Sequence, residues 1–251
     1  MVNTYQKKLL QFYKEIDNPY FGHITPDDDR FMMGILQIAR LAQLQAKIAL
    51  FQNQSKDAAQ IGEYLVVFGY KLEHCKGYLI DCYAGMSLKR AGLELLQEAK
   101  ANGLSKKDTS MIINKITPYA DSCQGFIDSL RMEYSHQKDM GFDQYQLYIK
   151  MKENSENFRD KITSIIVLLP FVYKPNQTFR KLAGYYREMI KYVSGKRGVP
   201  PKPLKYPHNI FSGNFLGESV LTMVTPTMGT ELDIPKKTEN IFNRTIAKLR
   251  N

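Results

Sequence analysis

The side chains most used for acid–base, nucleophilic or metal chemistry are thinly spread along this chain. Its four histidines are His23, His74, His136 and His208. None belongs to an HExxH pair or to an i,i+4 His/carboxylate cluster suited to zinc. Glu73-His74-Cys75 sets a base beside a thiol, but adjacent helical residues point about 100° apart. A Cys–His nucleophile there would need partners from elsewhere in the fold, so a partly exposed histidine and a buried cysteine are expected. Asp27-Asp28-Asp29 could ligate a hard cation, yet the glycine and downstream glutamate of a calcium loop are missing, and helix capping accounts for the run. No GxSxG elbow occurs near Gly213–Val220. Ser194-Gly195-Lys196-Arg197-Gly198 has the glycine and lysine of a phosphate loop without its preceding glycine or strand. No catalytic residue, metal or cofactor is therefore assigned.

Anion binding is the chemistry that residue types and spacing do favour. Residues 171–251 carry 14 Lys/Arg against 5 Asp/Glu, while the other 170 residues hold 21 basic and 20 acidic groups. A near-neutral body with one basic flank points to an anionic partner. The flank is densest from Lys174 to Lys205, where Glu188 is the lone acid. A helix over 177–194 would set Arg180, Arg187 and Lys191 in a stripe about 40° wide, with Phe179, Leu182, Tyr186, Met189, Ile190 and Val193 opposite. Lys196, Arg197, Lys202 and Lys205 extend the stripe into the following loop. Tyr173, Tyr185, Tyr192 and Tyr206 lie among these cations, where they could stack on bases or sit at lipid headgroup level. An ordinary solvated helix face, with the tyrosines packing inward, accounts for the same pattern. Pro200-Pro201-Lys202-Pro203 formally matches the PxxP pattern of SH3-type ligands.

The elements that must position these groups are helical. Pro26 and Pro118 bracket a proline-free stretch whose apolar residues recur at threes and fours. The spacing predicts helices from Asp27 to about Asn53, from Ser55 to Leu72 and from Tyr78 to about Ala101. Asn102-Gly103 is a stop, and Ser105 with Asp108 forms a capping box opening a helix to Ile116. Further helices are expected at 120–139, 143–168 and 177–194. The expected fold is all-α, an irregular multi-helix bundle or helical-hairpin array over residues 1–194. A basic Pro/Gly-rich linker at 195–207 leads to a helical appendage at 208–251, packing on the body or on a partner, with a short apolar helix at 214–224 and Pro235 near the start of its last helix. At 251 residues the chain can bury a core without staples. Its 3 cysteines, Cys75, Cys82 and Cys123, form no disulfide framework and slightly favour a reducing, cytoplasmic compartment. Residues 1–30 show no signal peptide, and the longest apolar run is too short to span a bilayer.

Ala39-Arg40-Leu41-Ala42, Ser55-Lys56-Asp57-Ala58-Ala59, Gly85, Leu93-Glu94-Leu95-Leu96 and Gly103-Leu104-Ser105 follow one another in an order that resembles a loose set of uncharacterised bacterial helical proteins, many of them membrane-anchored. Asn214-Phe215-Leu216-Gly217 and Pro226 fall where that set has a turn and a proline before a closing helix. The resemblance covers about a third of the chain. It implies a helical fold and carries no activity. It also implies an N-terminal anchor that residues 1–30 lack, so a periplasmic or surface form would need a segment removed before Met1. The leading expectation is a non-catalytic interaction or scaffold protein with a protein partner. The alternative is a binder of nucleic acid or anionic membrane through residues 174–205. A second alternative is an enzyme with a pocket among Tyr-rich helices, using Glu73, His74 or Tyr83.

Overall fold

The structure, a computed structural model, describes residues 29–155, 157–168, 173–202, 204, 214, 217, 219, 221 and 230–251. Among these residues every regular element is helical, and the fold is an all-α multi-helix bundle. In chain order the helices are α1 (Asp29–Phe51), α2 (Ser55–Glu73), α3 (Leu79–Ala101), α4 (Lys106–Ile116), α5 (Cys123–Asn154), α6 (Phe158–Val167), α7 (Pro175–Val193) and α8 (Ile234–Arg250). Short 3-10 turns occupy Thr117–Tyr119 and Thr230–Asp233. None of the described helices is long and apolar enough to cross a membrane.

The chain divides into two compact units, Met1–Ser129 with Ile234–Asn251, and Leu130–Asp233. α8 closes the first unit. Two helix boundaries move from where they are expected. α5 runs unbroken through Gly141, where helices ending at 139 and starting at 143 were expected. A helical glycine costs about 1 kcal/mol relative to alanine, but here the missing side chain makes room: a Cβ on Gly141 would lie 2.9 Å from the Phe179 ring. α5 ends instead at Asn154, and Asn157, whose Oδ1 accepts from the Arg159 amide at 3.0 Å, opens α6. The expected short helix at 214–224 lies mostly outside the described residues.

In the first unit α2 and α3 form a hairpin whose backbones touch. Gly62 and Gly69 are seven residues apart in α2, and Gly85 and Gly92 are seven apart in α3. A Cβ on Gly69 would lie 2.5 Å from the Gly85 carbonyl oxygen, and one on Gly92 would lie 2.5 Å from that of Gly62. No side chain fits at either crossing. α1 completes this layer through buried Ala39, Ala42, Ala46 and Ala49, whose small size lets it lie close. Ser105 caps α4 as expected, its Oγ accepting from the Asp108 amide at 3.1 Å.

α8 docks along α3 through a ladder repeated at seven residues. Arg90 Nε donates to Thr238 Oγ1 at 3.0 Å, and Gln97 Nε2 donates to Thr245 Oγ1 at 2.6 Å. Phe242, Ile246 and Leu249 of α8 are buried in the same core as α2 and α3. Lys100 Nζ then donates to the Lys248 and Leu249 carbonyls at 2.8 and 2.9 Å, satisfying the open end of α8. Glu239 Oε1 accepts from the Ser122 and Cys123 amides at 2.9 and 2.8 Å, so a carboxylate sits where the α5 dipole is positive.

The close α2–α3 approach also encloses an ion pair. Lys89 Nζ donates to Glu73 Oε2 at 2.7 Å, with both side chains 0% exposed. It donates further to Ser122 Oγ at 2.8 Å and to the Asp121 carbonyl at 3.1 Å, and lies 5.3 Å from the Tyr70 ring centroid. Glu73 Oε1 is buried without a hydrogen-bond partner. Burial pushes the Glu73 carboxyl up to about 7, against the opposing charge and hydrogen bond of Lys89 and the nearby Ser122 hydroxyl. Burial likewise lowers the Lys89 ammonium from its ordinary value.

Two measurements check these contacts. Gly69→Ala or Gly85→Ala should lower the urea-unfolding free energy by about 1–3 kcal/mol through overpacking. Gly184→Ala, in α7 with no atom within 4 Å of the added Cβ, should raise it by about 0.5–1 kcal/mol. The second concerns pH. Folded Glu73 keeps its proton up to about 7, whereas the unfolded chain releases it near 4.3. Its contribution is therefore full below the unfolded value and lost as pH rises through that window, at about 1.4 kcal/mol per pH unit between the two values. Glu73→Gln should flatten that part of the stability–pH curve.

Candidate anion-binding face

α7 in the second unit is built as the sequence predicts on one side. Leu182, Tyr186, Met189 and Val193 are buried, and Arg180, Arg187 and Lys191 are exposed. The two ends of this helix are fixed in different ways, the first by a distant residue and the second locally. At the start, Pro175 occupies the first turn, where its missing amide costs nothing. Lys174 supplies no side-chain cap, and Asn214 does that work from 40 positions away, its Oδ1 accepting from the Lys174 amide at 2.7 Å. Asn214 Nδ2 donates to Thr178 Oγ1 at 3.0 Å, and both residues are buried. A Cβ on Gly217 would lie 2.0 Å from Thr178 Oγ1, so this position fits against α7 only as glycine.

At the other end Gly195 takes φ +76°. The Lys196 amide donates to the Lys191 carbonyl at 2.9 Å and the Gly195 amide to that of Tyr192 at 3.0 Å, a Schellman closure. The glycine that resembled a fragment of a phosphate loop is thus a helix stop. It turns the chain back so that Arg197 pairs with Glu188, which Lys191 also reaches, at 2.8 Å. These two hydrogen bonds hold the Glu188 carboxyl below its ordinary value.

The reversal forms one wall of a pocket of about 600 Å³. Lys181, Arg197 and Lys202 converge on it with Glu188 as the acid among the lining residues, while Tyr185, Pro201, Leu204 and Leu221 supply apolar lining. A site of this kind can take an anionic group beside an apolar one, since cations orient the charge and the lining removes apolar area from water. Lys181 was missing from the sequence-derived set because it lies outside the Arg180–Arg187–Lys191 stripe. Lys196 and Lys202 are exposed and continue the basic surface beyond the helix. Lys205 and Tyr206 lie outside the described residues.

The tyrosines take a different part from the stacking one. Tyr173 and Tyr185 are buried, Tyr173 tilted against Tyr145 at 5.7 Å between centroids. Tyr185 packs at right angles to Tyr186 at 6.4 Å and shows the pocket what remains of its surface. Tyr192 is half-buried and donates its hydroxyl to Asp233 Oδ1 at 2.5 Å, which raises its pKa. Tyr173 and Tyr185 are thus covered, and Tyr192 is engaged through its hydroxyl.

The catalytic candidates belong to the first unit and are engaged there. Glu73 is closed in with Lys89, His74 Nδ1 lies 2.9 Å from the Tyr70 carbonyl with its ring stacked on Tyr70, and Tyr83 packs edge-on to Phe126. Cys75 donates to the Leu72 carbonyl at 3.1 Å, and burial pushes its thiol up to about 11. A thiol so far above neutrality is no activated nucleophile. Among the described residues no group of His, Cys, Asp and Glu could hold a metal ion.

Comparison with family models, with curated proteins and with solved structures finds no match.

If Asn214 holds the start of α7, Asn214→Ala should cost about 1–3 kcal/mol by leaving buried polar groups unpaired. Hydrogen exchange should show the amides of the first α7 turn losing protection before those near Val193.

Proposed function

We propose that this is a non-catalytic interaction protein whose second unit holds an anionic partner on the basic face of α7 and the turn that follows it. The observation that carries the reading is the convergence of Lys181, Arg197 and Lys202 on a pocket with apolar lining, beside the exposed stripe of Arg180, Arg187 and Lys191. The pocket would take one anionic group in a fixed orientation. The stripe, with Lys196, would supply longer-range attraction to the rest of the partner. Glu188 tempers the site: Arg197 and Lys191 already share its carboxylate, so an incoming anion competes with Glu188 for them. Such a site discriminates by charge density, because a weak anion cannot displace a carboxylate already in place. Burial of Tyr173 and Tyr185 weighs against base stacking as the source of affinity, which leaves ionic contact as the main contribution.

The reading is tested by titrating the full chain against RNA, single-stranded DNA and phosphatidylserine vesicles at low and moderate salt. Binding to at least one should weaken steeply with salt. Arg180→Glu/Arg187→Glu/Lys191→Glu should reduce affinity at least tenfold at unchanged helicity. Full affinity in that variant, or no binding to any of the three even at low salt, would overturn the reading.

A further inference from the structure

α6 faces the wrong way for a helix of a self-sufficient unit. Its apolar residues Phe158, Ile162, Ile165 and Ile166 fall at i, i+4, i+7 and i+8, the spacing of a core-facing stripe. They are instead 76%, 41%, 47% and 50% exposed. The opposite side is turned inward, with Ser164 fully buried and Asp160 and Val167 half-buried. At about 100° per residue, Arg159 and Lys161 flank the apolar stripe on its two borders, and both are exposed.

Resting on the anion-binding reading of the same unit, we infer that α6 docks on an anionic lipid surface, its apolar stripe entering the headgroup–acyl boundary and Arg159 and Lys161 meeting lipid phosphates. Three observations favour a bilayer over another occupant. An apolar stripe bordered by cations is the composition of an interfacial helix, because the cationic stems bury along the acyl region while the charges stay at headgroup level. A second copy of the chain is disfavoured, since two such stripes face to face would bring cationic borders together. The stripe is also small: four side chains on a helix of 10 residues fall well short of the ~800 Å² per partner that a stable protein interface buries. A lipid surface needs no matching partner area, and the unit's basic flank adds attraction to anionic headgroups. Apolar insertion and electrostatic attraction together supply the two signals that lasting peripheral attachment requires.

The chain contains no tryptophan, so Phe158→Trp places a single reporter on the stripe of the intact protein. With phosphatidylcholine vesicles containing phosphatidylserine, its emission should shift to the blue and be quenched by brominated acyl chains. Vesicles of phosphatidylcholine alone should give at least tenfold weaker binding. Adding Ile162→Ser and Ile165→Ser, both at exposed positions, should abolish the shift at unchanged circular dichroism. If the protein binds the anionic vesicles in a salt-sensitive way but the tryptophan emission stays fixed, α6 does not insert; this inference falls and the basic-flank reading stands. Binding of RNA or single-stranded DNA without binding of the vesicles would likewise remove α6 as a lipid-docking helix and leave the basic flank as an anion-binding surface. Absence of binding to all of these probes removes both.

Discussion

Contact between the backbones of α2 and α3 is the constraint on which the first unit depends. With glycine at both members of each crossing, the helices approach to where carbonyl oxygens occupy the space of a Cβ. At that distance the side chains on either side of the crossings cannot splay into solvent. Glu73 and Lys89 are therefore enclosed, and must find their partners in each other, Ser122 and the Asp121 carbonyl rather than in water. A buried pair of this kind adds little net stability compared with well-packed apolar residues, but removing one member is costly. It acts here as a register pin: a hairpin shifted by one residue would separate glycine from glycine and leave a lysine buried without its carboxylate.

The second unit is held by a different principle. Its basic face rests on α7, and both ends of that helix are fixed from outside it or by a chain reversal. Asn214 reaches the first turn from far along the sequence, and Gly195 turns the basic loop back onto Glu188. The pocket is thus a product of how α7 starts and stops. Its cations come from the helix and from the returning loop, and the carboxylate between them keeps the surface from being uniformly positive.

Much of the helical layout was legible because capping and periodicity are local. Ser105 with Asp108, Gly103, Pro235 and the apolar face of α7 all act within a turn or two of where they stand. The parts that escaped are those where one residue's meaning is set by another distant in sequence. Asn214 looks like a turn residue until its partner Lys174 is known. Gly141 looks like a break until Phe179 fills the space beside it. Tyr173 and Tyr185 look like surface aromatics among cations until packing against Tyr145 covers the first and helix rotation turns the second inward. The α6 stripe was detectable by spacing, but spacing gives the width of an apolar face and not the direction in which it points. One missed signal was present: glycines seven apart in two successive helices, on either side of a turn at Gly77, mark a hairpin with touching backbones.

The return of α8 to the first unit has a consequence for the order in which the protein can be made. Arg90, Gln97 and Lys100 emerge from the ribosome more than a hundred residues ahead of Thr238, Thr245 and the Lys248 carbonyl. The α2–α3 hairpin can form early from its own nearby contacts, but its polar ladder and the cap that Glu239 places on α5 wait until α8 has been made. Until then one face of α3 lacks the helix that covers it. A nascent chain in that condition leaves apolar surface uncovered for the whole time the second unit is being synthesised, so the topology itself sets when the first unit can close.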